Sequence, residues 1–184
     1  MRVVAIVGSS RRGNTYAMVE SACHGIGTDC DLELIHIRDM TIKFCDGCLT
    51  CDSNGKCHIN DSMTDIITSI IAADGLIIGT PARWSLLSGE LKVLIDRLNP
   101  LAAQERLKKK KAIVFAVGQT SPEQDDSVKT ACNSVVAFCA NAGIKVVSKV
   151  LAYGCLEPND LIEKSPDVLD KCKRAAKKLL ASLS

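Results

Sequence analysis

Apolar residues fall along this chain in two alternating rhythms. Residues 2–7, Arg-Val-Val-Ala-Ile-Val, form a near-continuous apolar run, as a parallel strand buried on both faces requires. Residues 15 to about 26 carry their apolar positions at helical spacing, and residues 31–37 alternate apolar and polar side chains as an outer strand does. Ser62-Met63-Thr64-Asp65 has the form of a capping box and predicts a helix through Ala73. Residues 75–79 predict a second buried strand, ending at Thr80-Pro81. A helix from about Ser88 carries Leu91, Leu94, Ile95 and Leu98 and is expected to stop near Asn99-Pro100. Residues 112–117 and 144–150 read as strands. Residues 126–141, closed by Gly143, and residues 166–183 read as helices.

Strand and helix thus alternate five times. Parallel neighbours need right-handed crossovers, so the expected class is α/β: an open five-stranded parallel sheet with helices on both faces. Ligands on such sheets bind beyond the carboxyl ends of the strands. The loops after Val7, Gly79 and Val117 are therefore where function is expected.

Composition narrows the classes. The chain has 184 residues, 47% hydrophobic and 24% charged, which predicts one ordered domain spanning residues 1–184 with a cysteine-rich insertion at 45–57. A net charge of +2 and only one Trp, two Tyr and three Phe argue against nucleic-acid binding. No apolar run reaches membrane-spanning length and no secretory pattern precedes Val3, so a cytoplasmic protein without membrane contact is expected. The lysine run at 108–111 is expected to be a solvated edge.

The first loop joins the first strand to the first helix. Its hydroxyls (Ser9, Ser10, Thr15), the amide of Asn14, and its main-chain N–H groups around Gly13 face a helix N-terminus, where unpaired donors and partial positive charge favour an anion. Arg11 and Arg12 add charge-assisted donors. The pattern is neither Gly-x-Gly-x-x-Gly nor a Walker loop, so a phosphate monoester is favoured over a dinucleotide pyrophosphate. The second loop, Thr80-Pro81-Ala82-Arg83-Trp84-Ser85, holds the only Trp, which suits either a flat cofactor ring or a surface anchor. The third loop, Gly118-Gln119-Thr120, offers main-chain groups to a ring edge.

Ten cysteines are many for such a chain, and four fall at Cys45-x2-Cys48-x2-Cys51-x5-Cys57. Asp46-Gly47 and Asn54-Gly55 allow sharp turns between them. Convergent thiolates hold an iron–sulfur cluster or a zinc ion, and three ligands at x2 spacing suit a cuboidal [4Fe–4S] cluster. Zinc and free redox thiols are the alternatives. His36 and His58 are left outside the ligand set. Cys23, Cys30, Cys132, Cys139, Cys155 and Cys172 are scattered singly and read as small core hydrophobes.

The order of these motifs resembles the NADPH-dependent FMN reductase superfamily of flavodoxin-like proteins. The carrying stretches are Gly-Ser-Ser-Arg-Arg-Gly-Asn-Thr, Gly-Thr-Pro-Ala-Arg-Trp and Ser-Gly-Glu-Leu-Lys-Val-Leu-Ile-Asp-Arg-Leu. The compact cysteine motif is similar to that of the iron–sulfur flavoproteins within it. The resemblance implies FMN, with its phosphate held from Ser9 to Thr15, its ring wrapped by Pro81, Ala82, Arg83, Trp84, Ser85 and Leu86, and its edge touched by Gly118, Gln119 and Thr120. It also implies a [4Fe–4S] cluster on Cys45, Cys48, Cys51 and Cys57, and a homodimer or homotetramer. The third loop departs from the family's Gly-Gly-rich pattern. The expected function is an FMN/[4Fe–4S] electron-transfer protein linking a ferredoxin-like carrier to a terminal acceptor, with no side chain acting as general acid or base. The rivals are a cluster-free NAD(P)H-dependent FMN or quinone reductase and a zinc-stabilised binding module.

Overall fold

A computed structural model describes residues 1–28 and 30–184. Its strands are β1 (Arg2–Val7), β2 (Asp31–His36), β3 (Gly75–Pro81), β4 (Lys111–Val117) and β5 (Lys145–Ala152). Its helices are α1 (Asn14–Ile26), α2 (Thr50–Asn54), α3 (Met63–Ala72), α4 (Gly89–Asp96), α5 (Asn99–Ala103), α6 (Ser127–Asn141), α7 (Asp160–Lys164) and α8 (Pro166–Leu183). All strands are parallel, in the order β2-β1-β3-β4-β5. This is the flavodoxin-like arrangement, and the winding reverses between β1 and β3, so a crevice opens above their carboxyl ends.

The period of two along β1 divides the core. Val4 and Ile6 face a cluster built with Met63, Ile66 and Ile70 of α3, Leu91 and Leu94 of α4, and Val128 and Val135 of α6. Val3, Ala5 and Val7 face the other side, against Met18 and Val19 of α1 and Ala176 and Leu179 of α8. After Arg2 and Lys111 at their first positions, β1 and β4 carry only apolar side chains on both faces, because both faces are covered.

Four local expectations change in the tertiary setting. Ser62 makes no capping bond; its hydroxyl instead accepts from the Thr41 amide at 3.0 Å, and Asp61 Oδ1 takes the Met63 amide at 3.0 Å. Asn99-Pro100 does not merely stop a helix: it opens α5, with proline in the first turn, where no intrahelical amide is needed. Two short helices, α2 within the cysteine segment and α7 before α8, carry no hydrophobic period that would mark them. Within the lysine run, Lys110 folds inward; its Nζ donates to the Ile71 and Ala73 carbonyls at 3.1 and 2.5 Å, closing the C-terminal end of α3.

Helix α1 lies directly on β3 at Gly79, where a Cβ would stand 2.5 Å from Val19 Cγ2 and 3.1 Å from Thr15 Cγ2. Gly79→Ala is expected to lower unfolding free energy by about 1–3 kcal/mol, the usual cost of overpacking. Urea unfolding measures it, and an unchanged midpoint would contradict this close approach.

Candidate functional site

Three loops beyond β1, β3 and β4 enclose a cavity of about 400 Å³. From the first loop, Ser9, Arg11, Gly13, Asn14 and Thr15 line it. Gly13, the N-cap of α1, offers no side chain to the first-turn amides, and no acidic residue lies in that turn. The helix end therefore presents its unpaired N–H groups and partial positive charge to the cavity.

The loop is held from behind. His36 is 3% exposed, and its Nε2 lies 2.9 Å from the Ser9 carbonyl; because a carbonyl only accepts, the ring proton sits on Nε2. Ser88 Oγ donates to the Gly8 carbonyl at 2.6 Å and accepts the Leu91 amide at 3.1 Å, while the Ser88 amide donates to Thr80 Oγ1 at 3.0 Å. One N-cap thus joins α4 to both the first and the second loop. The Asn14 side chain is bound to the far wall: it donates to the Glu157 carbonyl at 2.7 Å and accepts from the Leu161 amide at 3.1 Å. Ser10 and Arg12 stand outside the cavity lining; Arg12 lies 3.7 Å from Asp39 and 5.5 Å over the Tyr16 ring.

The second loop contributes Pro81, Ala82, Arg83, Trp84 and Ser85, with Leu86 outside the lining. Arg83 and Leu86 exchange both backbone hydrogen bonds, at 2.9 and 3.0 Å, so Trp84 and Ser85 form a two-residue hairpin tip. Both have positive φ, 49° and 62°. Asn and Gly are the usual residues in such a tip, and other side chains there cost of order 1–3 kcal/mol each. Trp84 is 99% exposed at the tip, an indole presented at the mouth of the cavity with no protein partner packed over it.

The third loop places Gly118, Gln119 and Thr120 on the opposite wall. A Cβ on Gly118 would come within 2.7 Å of Val128 Cγ2 and 3.2 Å of Ala82 Cβ, so this position brings the second and third loops together. Asp125 Oδ1 accepts from Thr120 Oγ1 at 2.9 Å and from the Ser127 amide at 2.7 Å; that amide is the main reason its carboxyl is held below the usual range. Sequence reasoning missed four lining residues: Val117, Asp125, Ser127 and Cys155. The Asp-Ser spacing before α6 was a usable signal. Cys155 left none, because it reaches the wall only through the turn after β5. Burial pushes its thiol up to about 11, so it faces the cavity as a neutral thiol, with Sγ 3.4 Å from the Tyr153 carbonyl.

The cysteine segment folds around α2, which packs against α5. Leu49 enters α2 in the left-handed region at φ 60°. Cys45 and Cys48 are exposed, Cys51 and Cys57 half-buried. Burial pushes the Cys51 thiol up, helped by Asp52 and by Cys57 and Cys48. Cys48 Sγ is 3.3 Å from His58 Nδ1, and His58 Nε2 is 3.0 Å from Asp46 Oδ2. The Cys48 amide donates to Asp46 Oδ1 at 3.1 Å and is the first cause of that carboxyl's low pKa. Among the described residues, Asp46, Cys48 and His58 are the set whose ligand atoms gather within 4.8 Å; no three thiols gather as closely. The four-thiol donor set suits iron–sulfur chemistry, in which iron and sulfide hold the thiolates apart.

A family model described as NADPH-dependent FMN reductase matches residues 1–152. An iron–sulfur flavoprotein of Methanocaldococcus jannaschii is 37% identical over 120 residues, 64% of this chain and 62% of its own length. An iron–sulfur flavoprotein of Archaeoglobus fulgidus is 30% identical over 152 residues, 82% of this chain and 74% of its own length. The chain thus spans about three fifths of the first of these relatives. The solved NAD(P)H:quinone oxidoreductase from Methanothermobacter marburgensis superposes with a TM-score of 0.77 at 18% identity, covering 97% of this chain and 96% of that one, a likeness of fold.

Burial pushes the His36 imidazole below its ordinary value of 6.5, against the opposing pull of the Ser9 carbonyl and Asp39. A base depressed by folding contributes stability that is fully present above the unfolded value and is lost as pH falls through the folded one. The urea midpoint is therefore expected to fall as pH drops from about 7 to about 5. His36→Gln, which retains an N–H donor toward Ser9, should flatten that fall. An identical pH slope in both proteins would remove His36 as the responsible group.

Proposed function

The chain belongs to the NADPH-dependent FMN reductase family, and we propose that it is an FMN- and [4Fe–4S]-containing electron-transfer flavoprotein linking a ferredoxin-like carrier to a terminal acceptor. The observation that carries this reading is a shared support. Helix α4 is bonded at Ser88 to the loops of an anion-ready cavity and at Arg97 to both ends of a four-thiol loop.

In this reading the phosphate sits against the α1 terminus, within Ser9, Ser10, Arg11, Arg12, Gly13, Asn14 and Thr15. Arg11 supplies the free guanidinium, while Arg12 and Asn14 shape the loop through Asp39 and residues 157–161. Pro81, Ala82, Arg83, Trp84, Ser85 and Leu86 border the ring, and Gly118, Gln119 and Thr120 its edge. Cys45, Cys48, Cys51 and Cys57 ligate the cluster. Bound FMN supplies exchange between paired and single electrons. The protein supplies orientation, burial and hydrogen bonds, with no proton-transfer residue needed. Phe44 and Leu49 on the cysteine segment, with Trp84 and Leu86 beside the cavity, are large exposed apolar residues, which supports a homodimer or homotetramer closing over this face.

A second reading, an NAD(P)H-dependent FMN or quinone reductase without a cluster, is favoured by one feature. Cys48 is engaged by His58 and Asp46, so the segment has a hydrogen-bonded arrangement of its own.

Iron, acid-labile sulfide and flavin analysis of protein purified without oxygen separates the two readings. Iron and sulfide in fixed ratio to FMN support the first; a clean flavin spectrum with none, after anaerobic reconstitution, sinks it. Cys48→Ala should abolish iron uptake while FMN binding persists, because the phosphate loop lies elsewhere; joint loss would refute two separate sites. Arg11→Ala should weaken FMN more than tenfold, the scale of a charged hydrogen bond at about 1.5–3 kcal/mol, and leave riboflavin affinity unchanged. Equal weakening of both ligands would place the phosphate elsewhere.

A further inference from the structure

One buried cation closes the base of the cysteine loop. Arg97, directly after α4, is 1% exposed. Its Nη1 donates to the Lys43 carbonyl at 2.8 Å and to Asp61 Oδ2 at 2.7 Å. Its Nη2 donates to the Ile59 carbonyl at 3.2 Å and to Asp61 Oδ1 at 3.1 Å. Lys43 stands two residues before Cys45, and Ile59 two residues after Cys57. A single planar fork therefore spans the chain where it enters and where it leaves the loop. Asp61 completes the junction by accepting the Lys43 amide at 2.8 Å and the Met63 amide at 3.0 Å.

The remaining donor, Arg97 Nε, is buried and has no hydrogen-bond partner among the described residues. The guanidinium is bonded two residues beyond Cys57 in the chain, and the Cys57 thiol adds to Asp61 in keeping it charged. Apart from the contacts of His58 with Cys48 and Asp46, the bonds within the loop are short in sequence: Ser53 to the Thr50 carbonyl, the Lys56 amide to Asn54, the Gly55 amide to the Cys51 carbonyl. Such turns shape the loop but do not set its place against the sheet.

We propose that Arg97 is the positioning residue of the cysteine loop: it pins Lys43 and Ile59 at the loop's two ends and sets a permanent positive charge beside the Cys57 sulfur. The loop is then shaped before any metal enters. The charge half of this inference rests on the iron–sulfur reading; the clamp half stands without it. A guanidinium is always protonated, and its fixed fork reaches several acceptors at once. A lysine keeps the charge but loses the fork. Positive charge near a ligating sulfur favours the more negative, reduced form and raises the potential.

Wild type, Arg97→Lys and Arg97→Met decide it, each loaded with FMN and examined before and after anaerobic reconstitution with iron and sulfide. Before iron, the Lys43 and Met63 amides should exchange slowly in wild type and at least tenfold faster in both variants, with FMN content unchanged. After reconstitution, Arg97→Met should lower the midpoint potential of the iron centre by about 59 mV, a tenfold change for one electron, and Arg97→Lys should leave it near wild type. Unprotected Lys43 and Met63 amides in iron-free wild type overturn the preformed loop, even if neither variant folds. A wild-type potential in Arg97→Met overturns the charge assignment. Wild type that takes up no iron and sulfide defeats the cluster reading instead, and amide exchange alone then decides the clamp.

Discussion

Everything around the cysteine segment depends on an ion pair removed from water. Arg97 and Asp61 meet at 2.7 Å with side chains 1% and 2% exposed. Burial alone would push the Asp61 carboxyl up; the Arg97 guanidinium and the amides of Lys43 and Met63 outweigh it and hold the carboxyl low. Such a pair contributes little net stability, because desolvation offsets most of the attraction, yet losing one partner costs about 3–5 kcal/mol. Its value here is geometric. The pair is worth keeping only if Lys43, Ile59 and Asp61 all return to one point, and that requirement closes the loop on α4.

The same helix links two dissimilar regions, one at each of its ends. Its first turn is capped by Ser88, which also takes the Gly8 carbonyl and, through its amide, the Thr80 hydroxyl. Its end holds Arg97. Between them Leu91 and Leu94 are buried under the sheet, so the helix has little freedom to tilt. Packed interiors transmit displacement instead of absorbing it. Helix α4 therefore fixes where the cysteine segment enters and leaves relative to the loops of the cavity.

Local stability has been given up where a ligand would act. The α1 terminus has no side-chain cap, the Trp84–Ser85 tip has two positive φ angles without glycine, and an indole stands in solvent. Each feature costs free energy in the isolated chain. A ligand that offers an anion to the helix and a flat face to the indole would satisfy the first and the last of these. The cysteine loop shows the opposite balance: Cys48 is already engaged by His58, and His58 by Asp46, within the protein.

Period and punctuation determined most of the architecture. Apolar runs marked the inner strands β1, β3 and β4 and the edge strand β5, alternation marked β2, and the spacing of strand and helix required a parallel sheet covered on both sides. Ser88 as an N-cap and the Ser-Ser-Arg-Arg-Gly-Asn-Thr loop as an anion site were likewise legible, since both depend on neighbours in sequence. Only the tertiary structure decided which side chains were already committed. Asn14 is bound by residues 157–161, Arg12 is turned to Asp39, Lys110 caps a helix 37 residues away, and His36 supports Ser9 across 27 residues. The Arg97 clamp joins positions 36 to 54 residues apart. Hydrogen bonds and ion pairs of this kind depend on distance in space and on exclusion of water. Those two quantities exist only once the sheet has brought the loops together, so no local pattern carries them.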